Sequence, residues 1–352
     1  MRRAVIQGIF AVWVVGWICF AGGCGRPQKQ QAIVPPGPPG GGEKAQTVVV
    51  RVGTWKTAQT IAPFLYKRFV PANYRVEVKP FTNPGDQKTA LLAGSLDMCG
   101  TTIVHAIVSA SRGEPVVYVA ALCDKCSALV VGADSGIKTP ADLKGKTIGY
   151  VPSTMHDVLL RETLTRAGLD PNKDVKLTRV DFFDMGQALA SGSIDAFLSG
   201  EPFPTIAKLK GYGRILAYPY YGESIGTING GMLTTRQMIE QRPEVVQDLV
   251  TAHALATEYL KAHPDEWIRM ATEFGNDEAV LREAAKNMLL TWDIDDEYIR
   301  HAKNLAKRML ALGMIEREPD WEQLFDTRFV EKARQVVAAE KGKWQAQSTA
   351  SN

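Results

Sequence analysis

The chain carries no marked charge of either sign, no second long apolar run and too few cysteines for a complete disulfide framework. Its 352 residues hold 41 Lys and Arg against 38 Asp and Glu, a formal net charge of +3. Arg2 and Arg3 account for two of those charges, which leaves about +1 on the rest. No basic block and no basic–aromatic stripe occurs, which excludes nucleic acid as a partner. Beyond Phe20 no apolar stretch approaches the roughly 18 residues of a membrane span, so the body is expected to be soluble. Five cysteines are present, and two of them, Cys19 and Cys24, lie within the first 24 residues. Cys99, Cys123 and Cys126 remain, an odd number.

What is present begins at the N-terminus. Arg2-Arg3 precedes a nearly unbroken apolar run from Ala4 to Phe20, then Ala21-Gly22-Gly23 and Cys24. A basic n-region, an apolar h-region and a small-residue site predict a secretory signal over residues 1–23. The cysteine after small residues resembles a bacterial lipobox, which implies lipidation at Cys24, although Ala21 stands where Leu is usual. An uncleaved anchor is the alternative, because roughly 17 apolar residues approach the lower limit of a span; simple secretion is the third. Each places the body outside the cytoplasm, in the periplasm or at the cell surface. Residues 24–46 read as a tether, since Pro35-Pro36-Gly37-Pro38-Pro39-Gly40-Gly41-Gly42 has nothing apolar to bury.

The body contains one module twice. Ala90-Leu91-Leu92-Ala93-Gly94-Ser95-Leu96-Asp97 returns 98 residues later as Ala188-Leu189-Ala190-Ser191-Gly192-Ser193-Ile194-Asp195, identical at five of eight positions. The same offset lays Val52-Gly53-Thr54-Trp55 on Tyr150-Val151-Pro152-Ser153. In the first copy Thr47 to Val52 reads as a strand, Ile61 to Phe69 as a helix, and the alternation from Tyr74 to Val78 as another strand. A short helix then ends at Gly94. In the second, Thr147 to Val151 and Val175 to Val180 are the strands, and Ser153 is expected to cap the intervening helix. Alternating strands and helices predict an α/β protein with a mostly parallel sheet in each of two lobes. Ligands in such sheets sit beyond the strands' carboxyl ends, so two facing sheets make a cleft.

After about Ser224 the pattern turns helical, with an amphipathic Glu244–Leu260, a helix opening at Pro264 and another from Asp295 to Leu312. A helical C-terminal tail needs a sheet to cover and is assigned to the first lobe. The expected boundaries are 47–122 and 225–345 for lobe 1 and 123–224 for lobe 2. Two crossings, near 122–128 and 218–226, would form a hinge.

Four stretches carry a family resemblance: Leu92 to Asp97; Ile137 to Tyr150, which includes Leu143-Lys144-Gly145-Lys146; Gly192 to Phe197 with Glu201-Pro202-Phe203; and Arg242-Pro243-Glu244-Val245-Val246. They are similar to the nitrate/sulfonate/taurine and thiamine-pyrimidine-precursor families of periplasmic binding proteins. The resemblance covers about residues 48–335. It implies the two-lobed type II periplasmic binding protein fold and delivery of a small-molecule solute to an ABC importer's permease. It also implies a monomer that needs no cofactor and catalyses no reaction.

Carried onto the cleft loops, the family pattern nominates Thr54, Trp55 and Thr57, then Thr101 and Thr102 with His105 nearby. From the second lobe it nominates Ser153, Thr154, Met155, His156, Asp181, Phe182 and Glu201, with Asn229 a weaker candidate. Ser153 and Thr154 at a helix start either contact solute or only cap the helix. Trp55 either stacks on a flat solute or packs under the tail. Apart from Lys56 these loops carry no cation, while Asp181, Asp184 and Glu201 lie close by. A neutral heteroaromatic or a cation therefore suits them at least as well as an anion. Cys123 and Cys126 read as a disulfide with Cys99 inert; the alternatives are a soft-metal site on Cys99, Cys123 and Cys126, or an enzyme on the same fold using Cys and His.

Overall fold

A computed structural model describes residues 46–221 and 224–350, with side chains described as far as 341. The signal, Cys24 and all but the last residue of the tether lie outside the described residues. Residues from Ala45 onward form one compact unit. No helix among the described residues is long and apolar enough to cross a membrane.

Among the described residues eleven strands form two sheets: β1 Val48–Trp55, β2 Tyr74–Phe81, β3 Met98–Thr102, β4 Val116–Lys125, β5 Ser127–Gly132, β6 Thr147–Tyr150, β7 Lys176–Arg179, β8 Ala196–Gly200, β9 Gly213–Ala217, β10 Ile228–Thr235 and β11 Met288–Leu290. The first sheet runs β11-β4-β10-β3-β1-β2 and the second β7-β6-β8-β5-β9. The α/β class and the two-sheet plan are as expected. The pairing is mixed rather than mostly parallel. β2-β1-β3 and β7-β6-β8 are parallel, while β10 and β5 lie antiparallel beside β3 and β8. The reason is topological. Parallel strands end at the space between the sheets, whereas β5 and β10 have just crossed that space and begin there.

The repeated octapeptide performs the same work in both sheets. Gly94 and Gly192 adopt φ of 71° and 74°, a left-handed turn that stops the preceding helix at little steric cost. Ser95 and Ser193 each return a backbone N–H to residue 90 or 188 at 2.9 Å. Asp97 and Asp195 then clamp the neighbouring strand. Asp97 Oδ2 accepts the Arg51 N–H at 2.7 Å, and the Asp97 N–H donates to Arg51 O at 2.8 Å. Asp195 Oδ2 accepts the Thr147 N–H and the Asp195 N–H donates to Thr147 O, both at 2.8 Å. Leu96 and Ile194 tuck over strand glycines, where a Cβ on Gly53 or Gly149 would sit 2.7 Å or 2.8 Å from their Cδ1 atoms. Gly53 thus matches Gly149 and Arg51 matches Thr147. The strands are offset by 96 residues while the octapeptides are offset by 98. The expected pairing of Gly53 with Val151 slips by two, because the second copy holds two extra residues between strand and motif.

Three local expectations change. The segment from Ile61 forms a 3₁₀ stretch, Ala62–Arg68, with Pro63 in its first turn. The helix Met155–Arg166 is capped by Thr154, whose Oγ1 accepts the Asp157 N–H at 3.3 Å, and not by Ser153. Thr101 and Thr102 end strand β3, and His105 stands on the helix Ile103–Ser111 rather than on a loop. The expected tail helices appear as Pro243–Ala262, Pro264–Thr272 and Asp296–Ala311.

The two clamps predict unequal costs. The Asp97 side chain is 7% exposed and Asp195 is 41% exposed. Asp97→Ala should cost about 2–3 kcal/mol and Asp195→Ala about 1 kcal/mol, because buried groups left unpaired cost most. Urea unfolding of the two variants at neutral pH checks this; equal costs would show that burial does not set the clamp's strength.

Candidate functional site

Between the strand ends of the two sheets lies a slot of about 540 Å³, counted out to its open mouth. The first sheet supplies Trp55 from the end of β1, Thr57, Gln59 and Thr60 from the turn after it, Thr102 from the end of β3, and Cys123 from β4. Thr82, Pro84 and Asn229 complete that wall. The second sheet's half supplies Cys126, Thr154, His156, Phe182, Phe183, Gly200, Glu201 and Phe203.

Of the residues nominated from sequence, the slot gathers Trp55, Thr57, Thr102, Thr154, His156, Phe182 and Glu201, together with Asn229. Six nominated residues do not line it, among them His105, whose Nδ1 lies 3.5 Å from Thr101 Oγ1. Thr54 is buried and spends its hydroxyl on Thr60 O at 2.7 Å, which shapes the turn. Thr101 donates to Pro84 O at 3.2 Å. Ser153 lies one residue ahead of the cap, with φ 59° and its N–H on Asp157 Oδ2. The Met155 side chain is buried, and its backbone N–H donates across the slot to Thr102 Oγ1 at 3.1 Å. Asp181 faces solvent near Arg179. Thr54 and Thr101 lie on strands one residue before Trp55 and Thr102, so their side chains face the opposite side, while in the Ser153–Met155 and Asp181–Phe182 segments no alternation fixes which side chain turns inward. Gln59, Thr60, Thr82, Phe183 and Phe203 were missed. Only Phe203, next to Glu201-Pro202, carried a signal.

The slot's polar groups are mostly held by the protein. Glu201 is almost fully buried; its Oε2 accepts from the Thr205 N–H and its Oε1 from Asn287 Nδ2, both at 3.2 Å. Burial raises its carboxyl above the ordinary range. His156 Nδ1 lies 3.0 Å from Ser127 Oγ, and its ring stands edge-on to Phe182 at 5.3 Å. Burial lowers this imidazole to about 4, so it is neutral at physiological pH. None of the lining residues is Lys or Arg.

Cys123 and Cys126 are buried free thiols, not the disulfide expected from their spacing. Asn229 Nδ2 donates to Cys126 Sγ at 3.2 Å, and a hydrogen bond to Cys123 together with burial raises the Cys126 thiol. A protonated thiol beside a neutral imidazole is not an activated nucleophile. Cys99 sits apart on β3, its Cβ against Gly53. The three-cysteine set therefore does not assemble, and among the described residues no group of three His, Cys, Asp or Glu is placed to hold a metal ion.

Three buried histidines set the acid response. His105, His156 and His253 are each lowered from 6.5 to about 4, chiefly by desolvation. Their contribution to stability is complete above the unfolded pKa near 6.5 and is lost as pH falls toward 4. Asp124, raised to about 7 by burial, works with the opposite sign over the same window. Folding stability should therefore fall between pH 6.5 and 4.5 with a slope of at most about two protons, and His156→Gln should remove about one of them. Urea midpoints at three pH values in that window measure the slope; an unchanged slope in His156→Gln would show that His156 titrates normally in the fold.

Residues 69–267 match the protein family described as NMT1/THI5 like. A putative binding protein of Brucella abortus is 29% identical over 254 residues, 69% of this chain and 77% of that protein. A formylaminopyrimidine-binding protein of Halalkalibacterium halodurans is 25% identical over 238 residues, 64% of this chain and 69% of that protein. Among solved structures, the alkanesulfonate-binding protein of Xanthomonas axonopodis pv. citri, bound to MOPS, superposes with a TM-score of 0.72. It has 21% identity and covers 80% of this chain and 99% of its own, so the two share a fold.

Proposed function

Because the chain belongs to the NMT1/THI5-like family, we propose that it is an extracytoplasmic solute-binding protein of an ABC-type importer. In this reading two lobes close on a small molecule in the slot, and the closed form docks on a membrane permease. A lipid on Cys24 and the Pro/Gly-rich tether of residues 24–46 hold the monomeric body at the membrane.

The observation that carries the reading is the slot itself. It opens where the parallel strands of both sheets end, and its two walls are joined by hydrogen bonds such as Met155 N–H to Thr102 Oγ1 at 3.1 Å. A few such bonds, each worth about 1 kcal/mol, are enough to bias an open–closed equilibrium without locking it. Trp55, Phe182 and Phe203 supply flat apolar surface, and threonine hydroxyls supply polar contacts. With no lysine or arginine on the walls and a buried carboxyl at Glu201, the slot favours an uncharged or cationic flat heteroaromatic solute over a nitrate or sulfonate. The likeness to a formylaminopyrimidine-binding protein supports that class. The raised Cys126 thiol and lowered His156 weigh against the alternative of a Cys/His enzyme.

Thermal unfolding of the chain against pyrimidines, amines, nitrate and sulfonates tests the reading. A solute at a hundred times its dissociation constant should stabilise by about 2.7 kcal/mol. Heteroaromatics should act and nitrate should not. Phe182→Ala should weaken the response about tenfold through lost stacking while leaving the solute-free transition in place. No response to any small molecule would sink the proposal.

A further inference from the structure

Among the described residues, several buried side-chain polar atoms have no hydrogen-bond partner, and two of these belong to residues that line the slot: Trp55 Nε1 and Gln59 Oε1. One is a donor and the other an acceptor. They stand four residues apart, Trp55 at the end of β1 and Gln59 on the turn that follows it. Gln59 is 7% exposed, and the other end of its amide is occupied: Nε2 donates to Glu201 O, on the opposite wall, at 2.8 Å. Gln59 therefore reaches across the slot and fixes the first residue after β8, where Glu201 N–H is in turn held by Cys126 O at 2.7 Å at the crossing between sheets.

A donor and an acceptor closed away from water without partners cost about 1–3 kcal/mol each. Closure is then incomplete in energy until something between the walls satisfies them. Building on the solute-binding reading, we infer that Gln59 and Trp55 read a donor–acceptor edge on the solute, and that Gln59 links this reading to closure through its bond to Glu201. The solute class is an uncharged molecule bearing an N–H or O–H beside an acceptor, as a primary carboxamide or a lactam does. An oxyanion satisfies Trp55 Nε1 but offers nothing to Gln59 Oε1. Sequence pattern could not show this, since a glutamine between Ala58 and Thr60 looks like any polar turn residue.

The test uses the full chain in detergent, with nicotinamide as the donor–acceptor probe and methanesulfonate as the acceptor-only probe. Gln59→Met keeps length and removes both amide atoms. Gln59→Glu keeps an acceptor and removes the N–H that reaches Glu201. Thermal shift reads selectivity, and hydrogen exchange of segment 200–205 reads closure. Wild type should respond to nicotinamide and not to methanesulfonate. Gln59→Met should lose that preference about tenfold or more, as expected for one buried hydrogen bond, and should speed exchange at 200–205. Gln59→Glu should speed exchange while keeping the preference. Equal or stronger binding of methanesulfonate by wild type, or unchanged preference and exchange in Gln59→Met, overturns the inference. Should neither probe act on wild type, the solute class fails, and exchange alone decides whether Gln59 holds the lobes together.

Discussion

Two aspartates hold the structure in the form that its function requires. Asp97 and Asp195 each accept the backbone N–H of a neighbouring strand and return their own N–H to its carbonyl, so each pins a parallel pair at the same point. The glycine turn before each aspartate aims it, and the leucine or isoleucine between them packs over a strand glycine. With the pairs pinned, β1, β3, β6 and β8 end at the slot, and the segments that carry Trp55, Thr57, Gln59, Thr102, Thr154 and Glu201 leave from those ends. Loss of the Asp97 clamp loosens the pairing that carries Trp55, and loss of the Asp195 clamp the pairing of β6 with β8 that leads to Glu201.

The chain's two crossings follow from the same geometry. A strand that leaves one sheet at the slot must enter the other from the slot, which makes β5 and β10 antiparallel to their neighbours. Cys123 and Cys126 flank the first crossing, and Asn229 stands near the second and ties back to Lys125 O at 2.8 Å and to Cys126 Sγ. The two crossings are thus tied together by side chains that also line the slot. Burial pushes the groups around them toward their uncharged forms: His156 is lowered to about 4, and the Cys126 thiol and the Glu201 carboxyl are raised. In the proposed reading, a slot lined by aromatic rings and hydroxyls, with no lysine or arginine, selects its solute chiefly by shape and hydrogen bonding.

The sequence was most legible where chemistry repeats. The octapeptide echo revealed two equivalent halves, because a helix stop, an apolar plug and a clamping aspartate each demand a particular residue at a fixed spacing. The two-residue slip between Gly53 and Gly149 was hidden, since inserting residues outside the motif leaves the motif unchanged. Strand ends could be located, which brought Trp55, Thr102 and Glu201 into view. Which of two adjacent residues turns inward is not legible: Thr54 on β1 and Ser153 ahead of its helix both make local hydrogen bonds instead. The Cys123–Cys126 spacing suggested a disulfide, yet the left-handed turn at Lys125 and Cys126 sets their relationship, and no residue type announces that conformation. Gln59 acts through a partner 142 positions away, a separation beyond any local pattern.

The central claim is that solute binds between the strand ends of the two sheets. A crystal structure of the chain grown with a small molecule that raises its melting temperature tests this most directly. The solute is expected in the slot between Trp55 and Phe182, within hydrogen-bonding reach of the turn after β1 and of Glu201. A solute bound elsewhere, with the slot filled only by the protein's own side chains, would contradict it.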